Sequence, residues 1–285
     1  MNRPLPSPPL LTRTSRARPA NPIPPREPRG PRSADALLAR WDALAQDSDH
    51  LLRKPLGEDS EGRPALPRYL FLGPRGGGDF LRLGLFATLH GDEPEGILAL
   101  TRLVERLARQ PDLARGYAIF LYPLCNPTGF ADGTRHARSG RDLNREFWSE
   151  SPEPEVRLIE TELWTHAFHG IVSLHSDDTS DGVYGYVNGE VLSQHLLEPA
   201  LIAAEQHLPR NRHRRIDGFP ARRGIVQDTF EGVLRAVPGL RPAPFEITFE
   251  TPQLAPLHRQ VDATVAALET ILVEYQYLMA IGQGI

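Results

Sequence analysis

The sequence predicts an α/β fold, a single layered domain in which helices cover a largely parallel sheet. Two observations carry this. The runs 81–89 and Tyr117–Tyr122 are almost continuously apolar, as strands buried on both faces are. Such runs alternate along the chain with segments of helical periodicity, the pattern of successive strand–helix–strand units. A length of 285 residues would house one large or two small domains. No internal repeat divides it, so residues 33–285 are read as one domain.

Taken in order, Ser33-Ala34-Asp35 before an Ala/Leu-rich segment marks a helix start. Tyr69–Leu72 is a strand, 73–79 a Gly-rich turn, and 81–89 a central strand. The turn lacks the Gly-Lys-Ser/Thr ending of a phosphate-binding loop, and a strand rather than a helix follows it. Pro94 opens a helix to about Arg109, with Ile97, Leu100, Leu103, Val104 and Leu107 on one face. After the strand Tyr117–Tyr122, residues 126–145 read as loop. A helix over 153–168, strands over 171–175 and Tyr184–Val187, and a helix over 191–208 follow. A strand over 245–250 and a long helix over 254–279 close the chain.

Composition excludes several function classes. Cys125 is the single cysteine, so neither an internal disulfide nor a cysteine-rich zinc module is possible. The net charge of −4 argues against nucleic acid as a partner. No run of about 18 consecutive apolar residues occurs, which argues against a membrane-spanning helix. No Gly-x-Ser-x-Gly occurs, so the usual serine-hydrolase elbow is absent. Residues 1–32 hold ten Pro, seven Arg and one acidic residue, Glu27. Such a segment cannot bury enough apolar surface to offset its ordering entropy. The expectation is a disordered tail, either a basic arm or a plain solvated extension. It has no secretory-signal pattern, which makes the cytoplasm the expected location.

The chemistry-bearing residues gather at the carboxyl ends of the strands, where open α/β sheets bind ligands. His90-Gly91-Asp92-Glu93 ends one strand, Asn126-Pro127 the next, His175 the third and Glu250 the last. A His-x-x-Glu spacing across a tight turn can aim an imidazole and a carboxylate at one ion, and His175 can supply a third ligand. Two His and one carboxylate are a catalytic zinc set with a position left for water. Glu250 would then be the general base. In Asp142-Leu143-Asn144-Arg145, an Arg beside an amide can grip a carboxylate. The same four residues also suit an Asp-capped turn with a solvated Arg.

These motifs, with Asn126-Pro127-Thr128-Gly129-Phe130 and Thr248-Phe249-Glu250, make residues 69–280 resemble the zinc carboxypeptidase superfamily. That superfamily includes metallocarboxypeptidases, murein-peptide amidases and the succinylglutamate desuccinylase/aspartoacylase branch. The resemblance implies a mixed, mostly parallel sheet of about eight strands with helices on both faces. It implies one zinc ion per chain on His90, Glu93 and His175. Asn144 and Arg145 would bind a substrate carboxylate, Asp142 would orient the His90 imidazole, and Glu250 would be the base. One of Arg135, Arg138 and Arg141, in the loop before Asp142, would meet the oxyanion, Arg138 in first place and Arg135 in second. No Tyr occurs between Tyr186 and Tyr275, so a digestive-type tyrosine clamp ahead of the base is missing.

The expected activity is hydrolysis of a peptide or amide bond next to a free carboxylate. The alternative within the same chemistry is deacylation of N-acyl amino acids. Outside it stand a metal- or carboxylate-binding protein without turnover and an adaptor acting through its Arg-rich tail. The expected partners are a small peptide or N-acyl amino acid, with no nucleic acid and no membrane. Arg212, His213, Arg214, Arg215, Arg222 and Arg223 form a basic cluster that either recognises an acidic group or is a solvated loop. Asp177, Asp178 and Asp181 either line the site or shape a turn. His166 and His169 read as surface residues and Cys125 as a buried structural thiol.

Overall fold

The runs 81–89 and Tyr117–Tyr122 lie side by side in the middle of a ten-stranded sheet, in a computed structural model that describes residues 33–58, 64–187 and 193–283. The tail assigned to residues 1–32 lies outside the described residues, as do residues 191 and 192 of the helix expected over 191–208. In chain order the strands are β1 (Leu51–Arg53), β2 (Leu56–Glu58), β3 (Pro64–Leu66), β4 (Tyr69–Leu72), β5 (Leu81–Ala87), β6 (Tyr117–Tyr122), β7 (Gly170–Asp177), β8 (Tyr184–Val187), β9 (Arg215–Ile216), β10 (Phe219–Arg222), β11 (Ile225–Val226) and β12 (Phe245–Pro252). The helices are α1 (Asp35–Asp47), α2 (Glu95–Arg109), α3 (Pro127–Asp132), α4 (Pro154–His166), α5 (Glu198–Ala204) and α6 (Leu257–Gln283).

The spatial order is β1-β4-β6-β5-β7-β12-β8-β11-β10-β9, and β2 and β3 form a separate ribbon. The central four strands, β6-β5-β7-β12, run parallel. Antiparallel β4 and β8 flank them. The expected α/β class holds, but the sheet has ten strands rather than about eight. The surplus comes from very short strands: β9 and β11 have two residues each and β1 has three, too few to show an apolar period.

Residue parity sorts the two faces. Leu83, Leu85 and Ala87 of β5, Val172 and Leu174 of β7, and Ile247 and Phe249 of β12 join residues of α1, α2, α5 and α6 in one core. Phe86, Ile171, Phe120 and Tyr122 face the other way and pack with Val156, Ile159 and Leu163 of α4. The β5–β6 connection runs through α2 on the first face and the β6–β7 connection through α4 on the second. The strand order therefore reverses between β5 and β7, opening a crevice at their carboxyl ends.

Helix α6 contains a 26-residue stretch, mean hydropathy 1.2 over its most apolar part, that is long and apolar enough to cross a bilayer. No such helix is expected from uninterrupted apolar runs alone. Its Ala263, Ala267, Leu268, Ile271 and Leu272 are taken up in the core against the sheet.

Candidate active site

Strand β5 ends at Ala87, and the chain turns sharply through Thr88 to Glu93 into α2. Thr88 holds φ at 61°, a strained value for a β-branched residue, and its hydroxyl donates to Pro123 O at 3.1 Å. Gly91 sits where a Cβ would lie 1.9 Å from Gly129 C, so this turn and the start of α3 touch backbone to backbone. Asn126 fixes the contact. Its Oδ1 accepts from Gly129 N at 2.8 Å, capping α3, while its Nδ2 donates to Leu89 O and Arg135 O. The Asn-Pro motif, expected to lie in loop, starts a short helix and clamps the His90 turn.

His90, Glu93 and His175 meet at the β5–β7 crevice, all buried, with one donor atom from each within 4.8 Å of the others. His90 Nδ1 lies 2.7 Å from Glu93 Oε1, and His175 Nδ1 lies 3.0 Å from Glu93 Oε2. The two Nδ1 atoms are 3.1 Å apart. Each Nε2 has a partner on the outer side: Asp142 Oδ1 at 3.2 Å for His90, and Ser173 Oγ at 2.8 Å for His175. Outward Nε2–H bonds leave both Nδ1 lone pairs facing inward, with a carboxylate between them. Such a convergence repels itself unless a proton or a cation sits inside. Burial opposes charge on His90, yet Glu93 and Asp142 outweigh it and lift its pKa to about 9. Burial pushes His175 down. Burial would raise Glu93, but the two imidazoles hold it well below the carboxylate range. Two imidazole nitrogens and one carboxylate are a donor set that suits a zinc ion.

Glu250 pairs in register with His175 on β7 and with Tyr184 on β8. Parity places all three on the same face, so they form a row across three adjacent strands. Burial lifts the Glu250 pKa well above the carboxylate range, and Glu93, Asp177 and Asp217 add to the rise. Glu250 and Tyr184 of this row line a cavity of about 260 Å³, together with His90, Glu93, Arg135, Asn144, Arg145 and Phe230.

The structure separates the two candidate arginines. Arg138 points outward and forks onto Asp132 at 2.9 and 2.7 Å, outside the cavity lining. Arg135 lines the cavity and reaches Asp142 at 2.9 Å and Glu93 at 3.9 Å. The backbone explains this: Arg135 O accepts from both Gly91 N and Asn126 Nδ2, which ties residue 135 to the turn that carries His90 and Glu93. Asp142 caps the turn Leu143–Arg145 by accepting from Asn144 N. It therefore serves that turn and His90 together, and burial, which would raise its pKa, yields to His90 and Arg135, which lower it. Asn144 is buried, with Oδ1 accepting from Leu234 N at 2.8 Å and Nδ2 3.5 Å from His175 Nε2. The Arg145 guanidinium lies 4.5 Å from the Phe230 ring centre, at the cavity mouth.

Asp177 and Asp178 line the cavity, whereas Asp181 faces His213 outside it. The basic cluster stays off the cavity: Arg212 pairs with Glu205, Arg223 with Glu198, and Arg215 donates to Gly218 O. Cys125 is buried and its burial raises the thiol pKa, as a structural thiol requires. His166 and His169 are only half exposed: His166 packs on Phe120, and His169 Nδ1 accepts from Arg82 N at 2.9 Å. Tyr184, Tyr186, Ser173, Asp217 and Phe230 belong to the site without carrying a sequence signal. Asp217-Gly218 reads only as a turn, and Tyr184-Gly185-Tyr186-Val187 only as a strand.

The family model for the succinylglutamate desuccinylase/aspartoacylase catalytic domain matches residues 79–209, a span that holds His90, Glu93, Asn144, Arg145 and His175. No curated protein sequence matches the chain. Among solved structures, a candidate metallopeptidase from Shewanella denitrificans OS217 has a TM-score of 0.72 at 23% identity, covering 85% of this chain and 90% of that one. A metallo-carboxypeptidase from Burkholderia cenocepacia has a TM-score of 0.66 at 19% identity, covering 87% and 70%. A metallo-carboxypeptidase from Pseudomonas aeruginosa, in complex with (2-guanidinoethylmercapto)succinic acid, has 0.63 at 20% identity, covering 86% and 70%. At these identities the structural likeness is one of fold, and the family model adds the sequence span that carries the buried trio. The chain therefore has the fold of the metallo-carboxypeptidases, and its residues 79–209 are similar to the succinylglutamate desuccinylase/aspartoacylase catalytic domain.

Proposed function

We propose that the chain is a zinc-dependent hydrolase that cleaves a peptide or amide bond beside a free carboxylate. The observation that carries this reading is the placement of Glu250 in register beside His175, with the His90–Glu93–His175 trio and the cavity at the same strand ends. His90 Nδ1, a Glu93 oxygen and His175 Nδ1 would hold the ion. Zinc there would supply Lewis acidity, polarising a carbonyl and making water nucleophilic near neutral pH.

The chain's own residues do the rest. Asp142 and Ser173 keep both imidazoles in the Nε2–H form. Glu250 takes the proton of the attacking water and returns it to the leaving amine. Glu93 helps keep Glu250 protonated, so neutralising Glu93 on loading the trio readies Glu250 to act as a base. Arg135 faces the developing oxyanion. Arg145, beside Asn144, receives the substrate carboxylate. A cavity of about 260 Å³ suits a small substrate.

Deacylation of an N-acyl amino acid is the second reading, and the desuccinylase/aspartoacylase match favours it. The test pairs metal analysis with turnover. The wild type should hold about one zinc per chain and His90→Ala none. Glu250→Gln should keep zinc and lose roughly 10²–10⁴-fold in kcat. Parallel screens of dipeptides and N-acyl amino acids separate the two readings. No zinc in the wild type after zinc is supplied, or full turnover in Glu250→Gln, overturns the proposal.

A further inference from the structure

The cavity wall away from Arg145 is acidic, and its carboxylates are held in place by neutral groups. Asp177 Oδ1 accepts from Thr179 N and Oγ1, both at 2.7 Å, and its Oδ2 accepts from Tyr184 OH at 3.0 Å. Asp217 occupies the turn between β9 and β10, where it and Gly218 take φ values of 49° and 83°. That turn hangs the Asp217 carboxylate over the cavity mouth. Its Oδ2 accepts from Tyr186 OH at 2.6 Å and from Tyr184 OH at 3.4 Å. Both phenols are buried, so two core tyrosines commit their hydroxyls to fixing two carboxylates. Phenols orient a carboxylate but do not neutralise it.

Among the described residues, no Lys, Arg or His forms an ion pair with Asp177 or Asp217. Ser176 lines the same cavity, is 5% exposed, and its Oγ meets no hydrogen-bond partner. At the other end, Arg145 has no acidic partner among the described residues. Ring contacts connect the two: Phe230 lies beneath Arg145, Phe219 is 4.8 Å from Phe230, and Tyr186 is 6.4 Å from Phe219, with Phe230 and Tyr186 lining the cavity. The cavity therefore offers a cation, aromatic surface and a pair of anions, each charge without an ion-pair partner among the described residues.

We infer that the cavity selects a zwitterionic substrate, its carboxylate on Arg145 and an ammonium or guanidinium group between Asp177 and Asp217. The inference rests on the proposed hydrolase reading for the role of the cavity, but its test needs only binding. The purified, zinc-supplied chain is titrated calorimetrically with three probes that share a carboxylate. Nα-acetyl-lysine adds a side-chain ammonium, norleucine an α-ammonium, and Nα-acetyl-norleucine neither.

One of the two ammonium probes should bind about tenfold more tightly than Nα-acetyl-norleucine, the yield of one charge-assisted hydrogen bond. Which one does so identifies the source of the cation. In Asp217→Asn, with Asn tolerating the left-handed backbone, and in Asp177→Asn, the ratio should collapse towards one. Thermal unfolding of each variant checks that the fold is kept. Equal binding of all three probes, no binding of any, or a ratio that survives in both folded variants overturns the inference. A chain that ranks the probes as expected yet hydrolyses no amide sinks the hydrolase reading and leaves this one standing. A chain that hydrolyses amides without preferring the cationic probes does the reverse.

Discussion

Replacing Gly91 by Ala would put a Cβ 1.9 Å from Gly129 C and 2.1 Å from Phe130 N, where ordinary contact begins at 3.4 Å. Both neighbours are backbone atoms at the start of α3, locked by the Asn126 cap, so no side chain can swing aside. The turn must move by the difference, roughly 1.5 Å, and His90 is the adjacent residue. Metal–ligand distances tolerate only about 0.2 Å, and a misplacement near 1 Å costs on the order of 10²-fold in a positioned reaction. The strain itself should cost about 1–3 kcal/mol, lowering Tm by roughly 2–4 °C for each kcal/mol. Gly78→Ala is the control: nothing lies within 4 Å of its Cβ, so stability should stay within about 0.5 kcal/mol. The assay is zinc per chain by elemental analysis beside a thermal melt. Gly91→Ala that keeps full zinc and the wild-type Tm would refute the reasoning.

Three other outcomes follow from the same geometry. Arg135→Gln should lower kcat by roughly 10²-fold or more, with KM little changed, whereas Arg138→Gln should leave turnover within about twofold; steady-state kinetics on one substrate decides, and equal effects would refute the arginine reassignment. Arg68→Met removes the arginine partner of the buried Glu162 carboxylate (2.5 Å), leaving His166 Nε2 at 3.2 Å, and should cost about 3 kcal/mol in urea unfolding. Adding Glu162→Gln should restore part of that, since Gln still accepts from Tyr122 OH, which bonds Glu162 at 2.7 Å. His169 is the pH-sensitive clasp: burial, then Arg82, lowers its folded pKa, and its Nδ1 must stay unprotonated to accept from Arg82 N. The unfolded chain therefore takes up this proton first as the pH falls. The contribution is complete above the unfolded pKa of about 6.5 and is lost as pH drops through the lower folded value. His169→Asn should lose less stability between pH 7 and 5 than the wild type, and parallel slopes would contradict this.

The buried parallel strands and the residues His90, Glu93 and His175 at their ends were legible because both rest on local pattern. A strand buried on both faces is apolar along its length, so β5, β6 and β7 announce themselves. Their carboxyl ends are where polar residues interrupt that pattern, which exposes His90, Glu93, His175 and Glu250 together. The α3 helix was hidden because it has six residues and a Pro-Thr-Gly start, too short for any period to show. Its real signal is Asn126, a capping residue directly before Pro127. The edge strands β9–β11 were hidden for the same reason of length.

Arg135 and the acidic wall were illegible for a different reason: they depend on which backbone groups meet across long sequence separations. Arg135, Arg138 and Arg141 share a loop and a residue type, so composition ranks none above another. What separates them is that Gly91 N and Asn126 Nδ2, 44 and nine residues away along the chain, both bond to Arg135 O. Likewise, a tyrosine, Tyr184, stands beside Glu250 in space although none precedes it closely in sequence. That follows only because β8 pairs antiparallel to β12 with Tyr184 opposite Glu250. A register shift of one residue would turn Gly185 and Val187 toward the cavity and bury both phenols in the opposite core. The two hydroxyls that hold Asp177 and Asp217 would then be lost together. Ligand chemistry at this site is therefore written at two levels. The motif residues follow strand ends and can be read directly, while the groups proposed to choose the substrate follow strand pairing and need the fold.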